Sequence, residues 1–156
     1  MPGACAIRVN VQAEDFDTAG EIASLSANAG AVGAVVTFSG ICRDEAGTIE
    51  AHELEHYPGM AEAEIARIAE DAAARWPVSA LTVIHRRGRI RPGENIVLVV
   101  SASAHREAAF DAAAFLMDFL KTRAPFWKKE HLRTGATGDW IEAKDIDDDA
   151  ADRWSR

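Results

Sequence analysis

Hydrophobic and polar residues along this chain recur with two different periods, one typical of strands and one typical of helices. Alternation or a run of β-branched residues predicts five strands, at Ala6–Val11, Gly33–Cys42, Thr48–Tyr57, Ala80–Arg86 and Asn95–Ser103. The second of these contains the β-branched run Val35-Val36-Thr37 and has the pattern of a buried strand. We therefore predict that it is a buried, central strand.

The helical period occurs in three segments. A short first helix is predicted to begin at Asp17 or Thr18, whose side chains can cap it. The second covers Ala61–Trp76, and the third covers His105–Arg123 and ends before Pro125. Only a narrow stripe of the third helix is polar, so we expect it to be mostly buried.

The end of the chain has the pattern of a further pair of strands. Phe126–Leu132 and Asp139–Ala143 are predicted to form a terminal hairpin. With the earlier elements, this gives an α+β protein of several strands and two main helices.

Length and composition indicate one folded domain. The chain has 156 residues, 48% of them hydrophobic and 27% charged, which is enough to bury a core in a single domain over residues 1–156. An acidic stretch, residues 145–156, follows, and its run of aspartates is typical of a solvated tail.

Charge and cysteine content exclude several classes of function. The formal net charge of -8 argues against a protein that coats nucleic acid or an acidic membrane. No apolar run approaches the ~20 residues that span a bilayer, and the first residues do not resemble a signal peptide. The two cysteines, Cys5 and Cys42, are too few for a disulfide scaffold. We therefore expect a cytoplasmic protein.

One short segment resembles the zinc-binding motif of a hydrolase. Residues 52–56 read His-Glu-Leu-Glu-His, and on a helix His52 and His56 could hold zinc with Glu53 as general base. The segment alternates like a strand, however, and on a strand the two histidines lie ~13 Å apart. We predict a strand without a metal here, and a zinc hydrolase remains an alternative.

Cations are concentrated in a few segments of this acidic chain. They are His85–Arg91, Lys121–Lys129, the pair His105 and Arg106, and Arg43 after the second strand. Such a grouping suits a small polyanionic ligand, for instance a phosphate, better than a long nucleic acid. The first segment connects two strands, and we predict that it is a solvated loop.

Two of these regions hold reactive groups. A lysine crowded by other cations in a partly apolar pocket has its charged form disfavoured, which lowers its pKa and frees the amine as base or nucleophile. Lys121 is the best candidate, although it could also simply extend from a buried helix to water. Cys42 beside Arg43 is either an activated thiol or a buried structural residue, and we favour the structural interpretation.

Several blocks together resemble the large, catalytic subunit of molybdopterin synthase. The resemblance covers residues 30–143, and the most specific blocks are Ser103–Arg106 (Ser-Ala-His-Arg) and Leu120–Glu130 (Leu-Lys-Thr-Arg-Ala-Pro-Phe-Trp-Lys-Lys-Glu). The other matching blocks are Gly33–Gly40 with Arg43, Leu54–Met60, Arg75–Pro77 and Val83–Arg86.

The resemblance implies a fold, a partner and an activity. The fold is an α/β hammerhead with a mostly antiparallel sheet. The protein is expected to be a homodimer that binds one small ubiquitin-like sulfur carrier per subunit, giving a heterotetramer. The C-terminal Gly-Gly thiocarboxylate of the carrier supplies two sulfurs in turn to cyclic pyranopterin monophosphate, which forms the dithiolene of molybdopterin. No metal or cofactor is implied.

The resemblance also implies roles for individual residues. Lys121 is expected to be the catalytic lysine nearest the carrier terminus, and Lys128 the second essential cation. The residues expected to contact the pterin substrate are Arg43, His105, Arg106, Lys129, Glu130, Ile41, Cys42 and Lys144.

Two of these positions depart from the family pattern. Ile41 stands where bacterial relatives often have lysine, so a side-chain contact with the substrate is lost there. Lys144 stands where an arginine thought to reach across the dimer is often found, and lysine lacks the bidentate fork that grips phosphate.

A sulfurtransferase is therefore the leading hypothesis. The alternative from another class is a binding module that docks a ubiquitin-like tail, in which the lysines only neutralise its carboxylate.

Overall fold

The computed structural model describes residues 4–25, 30–141 and 150–155. The strands are β1 (Ala6–Gln12), β2 (Ala34–Ile41), β3 (Ile49–His56), β4 (Val78–Arg86), β5 (Gly88–Ile90), β6 (Asn95–Ser103) and β7 (Phe126–Leu132). The helices are α1 (Thr18–Leu25), α2 (Met60–Arg75), α3 (Arg106–Thr122) and a 3₁₀ turn at Arg153–Ser155. No helix in the described ranges is long and apolar enough to cross a membrane.

The strands form two sheets. The larger has the order β1-β4-β6-β2, with β1 parallel to β4 and the other pairs antiparallel. The smaller has the order β5-β3-β7 and is entirely antiparallel. The prediction of an α+β fold with a mostly antiparallel sheet and two main helices is confirmed.

The main core lies between the larger sheet and the helices α2 and α3. It includes Ile65 and Ile68 of α2, Val83 and Val99 of the sheet, and Leu116 of α3, all 2% exposed or less. Alanines fill many of the inward positions of both helices, which lets the helices approach the sheet closely. The buried face of α3 confirms the prediction from its narrow polar stripe.

The position predicted for β2 is wrong. The strand exists, but it lies at the edge of the larger sheet as the described residues form it, and β4 and β6 take the centre. Phe38 is 41% exposed and Ile41 55% exposed. A β-branched run indicates a strand that is buried on one face, but it does not indicate where in the sheet the strand lies.

The segment His85–Arg91 is not the solvated loop that we predicted. His85 and Arg86 end β4 and are buried, and Ile90 in β5 is completely buried. The intervening arginines are exposed. The end of β4 and the short strand β5 therefore take the place of a loop, because buried and exposed positions alternate after Arg86.

The terminal hairpin is only partly present. β7 is confirmed, but the returning chain forms two isolated bridges, Lys128 with Ile141 and His131 with Thr137. Residues 142 and 143, the predicted end of the hairpin, lie outside the described residues.

The end of the chain packs against the helices. The indole N–H of Trp154 donates to the Asp118 carboxylate (2.5 Å), and its ring makes edge contacts with Trp76 and Phe115. The run Asp145–Asp149, for which a solvated tail was predicted, lies outside the described residues.

Candidate functional site

A cavity of about 550 Å³ lies where β3 and β7 meet the carboxyl ends of β2 and α3. Its walls combine cations, aromatic rings and aliphatic side chains. They are formed by Ile41, Arg43, Glu45, His52, Leu54, His85, Ile96, Leu120, Lys121, Thr122, Arg123, Ala124, Pro125, Phe126, Trp127, Lys128 and Ile141.

The two lysines predicted to be catalytic both line this cavity. Lys121 is solvent-exposed in the last turn of α3, which ends just before Pro125. The chain then turns into β7, where Lys128 lies opposite Leu54 of β3. Both lysines therefore reach one space although they belong to different elements.

Lys129, predicted to contact substrate, is not among the residues that line the cavity. Successive side chains on a strand point to opposite faces, so Lys128 and Lys129 diverge. The ammonium of Lys129 lies 5.0 Å from the centre of the Trp140 ring, a cation–π distance.

Arg43 and Ile41 line the cavity at the end of β2. The Arg43 guanidinium lies 3.5 Å from the Glu45 carboxylate and is largely exposed, so it is available to an anion. Arg123 adds a fourth cation, held over the Phe119 ring at 4.3 Å. The sequence placed Arg123 in a basic run but did not assign it to the site.

Glu130 and Cys42 lie next to the cavity but do not line it. Glu130 pairs with His52 across β3 and β7. Cys42 is 2% exposed, and its Sγ lies 3.6 Å from the Ile90 carbonyl oxygen. Burial raises the pKa of this thiol, as expected for the structural cysteine that we favoured.

His105 and Arg106 are not brought to this cavity. They are exposed at the start of α3, and Lys121 is near its end. At 1.5 Å per residue the two ends are about 24 Å apart. Lys144 lies outside the described residues.

Residues 52–56 form most of β3, which confirms the strand prediction for the zinc-like motif. His56 bonds the carboxylate of Glu62 (3.2 Å), whereas His52 lines the cavity. The Nε2 atom of His52 is buried and has no hydrogen-bond partner among the described residues. Burial and the nearby Lys128 lower the pKa of His52, so its ring is neutral at pH 7.

His85 also lines the cavity, and the sequence did not assign it to the site. It is 8% exposed, and its ring stacks on Phe126 with centroids 3.9 Å apart. Burial lowers its pKa to about 4, helped by the charges of Lys121 and His56. Its position at the end of a predicted strand could have indicated that its side chain is buried. The basic residues that follow it favoured the interpretation as a solvated loop.

The arrangement suits an anionic ligand with an apolar part. Arg43, Lys121, Arg123 and Lys128 supply positive charge, and aromatic and aliphatic side chains supply flat apolar walls. Cations in such a setting can bind a phosphate or a carboxylate and can stabilise charge that develops on an oxygen.

Comparisons with known proteins identify the family. A family model described as "MoaE protein" matches residues 11–123. A molybdopterin synthase catalytic subunit from Mesorhizobium japonicum is 65% identical over 99% of this chain and 97% of its own. The MoaE protein of Burkholderia ambifaria has a similar structure, with a TM-score of 0.82, 42% identity, and coverage of 96% and 99% of the two chains.

A more distant structure shares the fold. It is a complex of subunits 1 and 2 of the molybdopterin-converting factor from Helicobacter pylori, at 23% identity and a TM-score of 0.68, covering 88% of this chain and 90% of that one. The family match and the structural relatives agree with the fold. The chain therefore belongs to the MoaE family, the catalytic subunits of the enzyme molybdopterin synthase.

Proposed function

We propose that this chain inserts two sulfurs into cyclic pyranopterin monophosphate, taking them from the C-terminal thiocarboxylate of a small ubiquitin-like carrier. The observation that carries the proposal is the convergence of Lys121, Lys128 and Arg43 on one cavity. The substrate carries a phosphate and the donor a thiocarboxylate, so both need cations. The apolar walls suit a flat pterin ring and a Gly-Gly tail.

The lysines act where charge changes during transfer. In each transfer the thiocarboxylate sulfur bonds to a pterin carbon, whose carbon–oxygen bond breaks and releases that oxygen as water. Water then cleaves the carbon–sulfur bond of the resulting thioester, which leaves the sulfur on the pterin and the carrier as an ordinary carboxylate. Lys121, the lysine nearest the carrier terminus, stabilises or protonates the oxygen that leaves the pterin, and Lys128 is the second cation that holds the anionic reactants. Arg43 holds the substrate phosphate.

The proposal includes a carrier and a second copy of this chain. The Helicobacter pylori relative is a complex of two different subunits. The exposed Phe38 and Ile41 on the edge strand β2 offer an apolar surface to a second copy. That copy could supply the cations His105 and Arg106, which are too far from Lys121 within one chain. The assembly is then a heterotetramer.

A conversion assay tests this function. The purified chain is mixed with cyclic pyranopterin monophosphate and carrier in its thiocarboxylate form, and dithiolene product is measured. The matched control uses the same carrier ending in an ordinary carboxylate. We expect product only with the thiocarboxylate. No product, with carrier shown to bind, contradicts the proposal and supports the docking module.

The side chains of Lys128 and Lys129 lie on opposite faces of β7, and this difference allows a second test of the proposed function. Lys128→Ala removes a cation from the cavity, whereas Lys129→Ala removes one that lies over Trp140. We expect Lys128→Ala to lower kcat/KM at least about tenfold more than Lys129→Ala, which corresponds to about 1.4 kcal/mol of transition-state binding. Equal losses would show that both lysines contact the reactants.

A further inference from the structure

His85 is a buried histidine in the wall of the cavity that the reaction described above does not use. Its imidazole lies at the end of β4, stacks on Phe126 and shares the cavity with Lys121. The stacking angle is 17°, so the two rings are nearly parallel and the imidazole has one fixed plane. A ring held in this way presents its nitrogens in fixed directions.

The hydrogen bonding of the ring fixes which nitrogen carries the proton. Nδ1 lies 2.8 Å from the backbone carbonyl oxygen of Arg86, and a carbonyl oxygen only accepts. Nδ1 therefore holds the proton and donates it. In a neutral imidazole the other nitrogen, Nε2, then carries a lone pair and can accept a hydrogen bond.

The surroundings keep this ring neutral at pH 7. Burial is the main reason that its pKa falls to about 4. The charged or titratable groups that act on it are Lys121 from α3 and His56 from β3, and both lower the pKa further. The bond to Arg86 opposes these effects but does not overcome them.

We propose that His85 is a positioning residue for Lys121, accepting an N–H of the Lys121 ammonium at Nε2 and so directing that side chain toward the reactants. The inference rests on the proposed function, since it assigns a support to the lysine of that site. A neutral acceptor suits this role because a protonated imidazole would repel the ammonium and would have no lone pair to offer.

Two substitutions distinguish the contribution of the Nε2 lone pair to activity from the contribution of the stacked ring. His85→Phe keeps an aromatic ring that can stack on Phe126 but removes the acceptor. His85→Gln places an amide oxygen near the position of Nε2 but removes the ring. We expect His85→Phe to lower kcat about a hundredfold, with KM for the pterin changed less than about threefold. His85→Gln should recover at least about tenfold of that loss.

A measurement without turnover separates this inference from the proposed function. Nitrogen-15 NMR of the imidazoles in the wild-type chain should show His85 with Nε2 unprotonated at pH 7. Lys121→Ala should move that resonance and raise the pKa of His85, because a neighbouring cation is lost. Arg67→Ala, on the exposed side of α2, should change neither value.

Three results would each overturn the positioning role of His85. They are a protonated Nε2, a His85 resonance that does not change in Lys121→Ala, and a His85→Phe chain that is as active as wild type. If the wild-type chain makes no product, the proposed function fails, and the NMR result still decides whether His85 contacts Lys121. If His85→Phe does not fold, the glutamine variant and the wild-type NMR decide the question.

Discussion

Lys121→Ala is expected to lower the rate of dithiolene formation about 10³-fold, within the range typical for loss of a group that transfers a proton in the transition state. Lys121 belongs to the last turn of α3 and, within the described ranges, shares its cavity with three other cations. Those cations can still attract the substrate and the carrier tail when Lys121 is removed. We therefore expect carrier affinity to change much less than the rate.

The measurement is single-turnover conversion with saturating thiocarboxylated carrier, together with carrier binding by titration calorimetry. Lys121→Arg keeps the charge but cannot give up a proton near neutral pH, so it should bind both reactants and remain slow. Arg67→Ala is the surface control and should match wild type. Loss of carrier binding in parallel with the rate would instead support the docking module.

Arg86→Met is expected to lower the free energy of unfolding by about 3 kcal/mol, since hydrogen bonds from a charged donor are each worth about 1.5–3 kcal/mol. The Arg86 guanidinium is buried and donates to the carbonyl oxygens of Ala13 and Asn95 at 2.9 Å. It thereby ties the segment after β1 to the start of β6. Methionine fills similar space but leaves both carbonyls without this donor.

Urea unfolding followed by circular dichroism measures the effect. Arg67→Met is a matched control, because Arg67 is exposed and contacts only Glu64 across one turn of α2 among its described ion pairs. It should change stability by less than about 0.5 kcal/mol. A similar small change for Arg86→Met would show that water replaces the guanidinium at no cost.

The sequence predicted most elements because their patterns are local. The third helix has one narrow polar stripe, and the segment around His52 alternates cleanly, so each could be assigned without its neighbours. The same alternation argued against a zinc site at His52 and His56, because on a strand the two histidines lie too far apart to bind one metal ion. These inferences needed only the period of one segment.

Features that depend on distant partners were harder to predict. Arg86 can be buried because carbonyl oxygens 73 and 9 residues away in the sequence accept hydrogen bonds from its guanidinium. No local sequence pattern indicates these partners. The edge position of β2 depends on which strands take the centre of the sheet. The distance between His105 and Lys121 follows from the length of α3, but the family resemblance alone placed both residues in one site.

The divergence of Lys128 and Lys129 has a consequence for how this chain can vary in length. Three residues, 123–125, connect α3 to β7, and they set which of the two lysines faces the cavity. One residue inserted or deleted there would shift β7 by one position against β3 and exchange the faces of every side chain on it. Natural variants of this chain should therefore tolerate changes of length in the turn at 133–136 far better than in this connection.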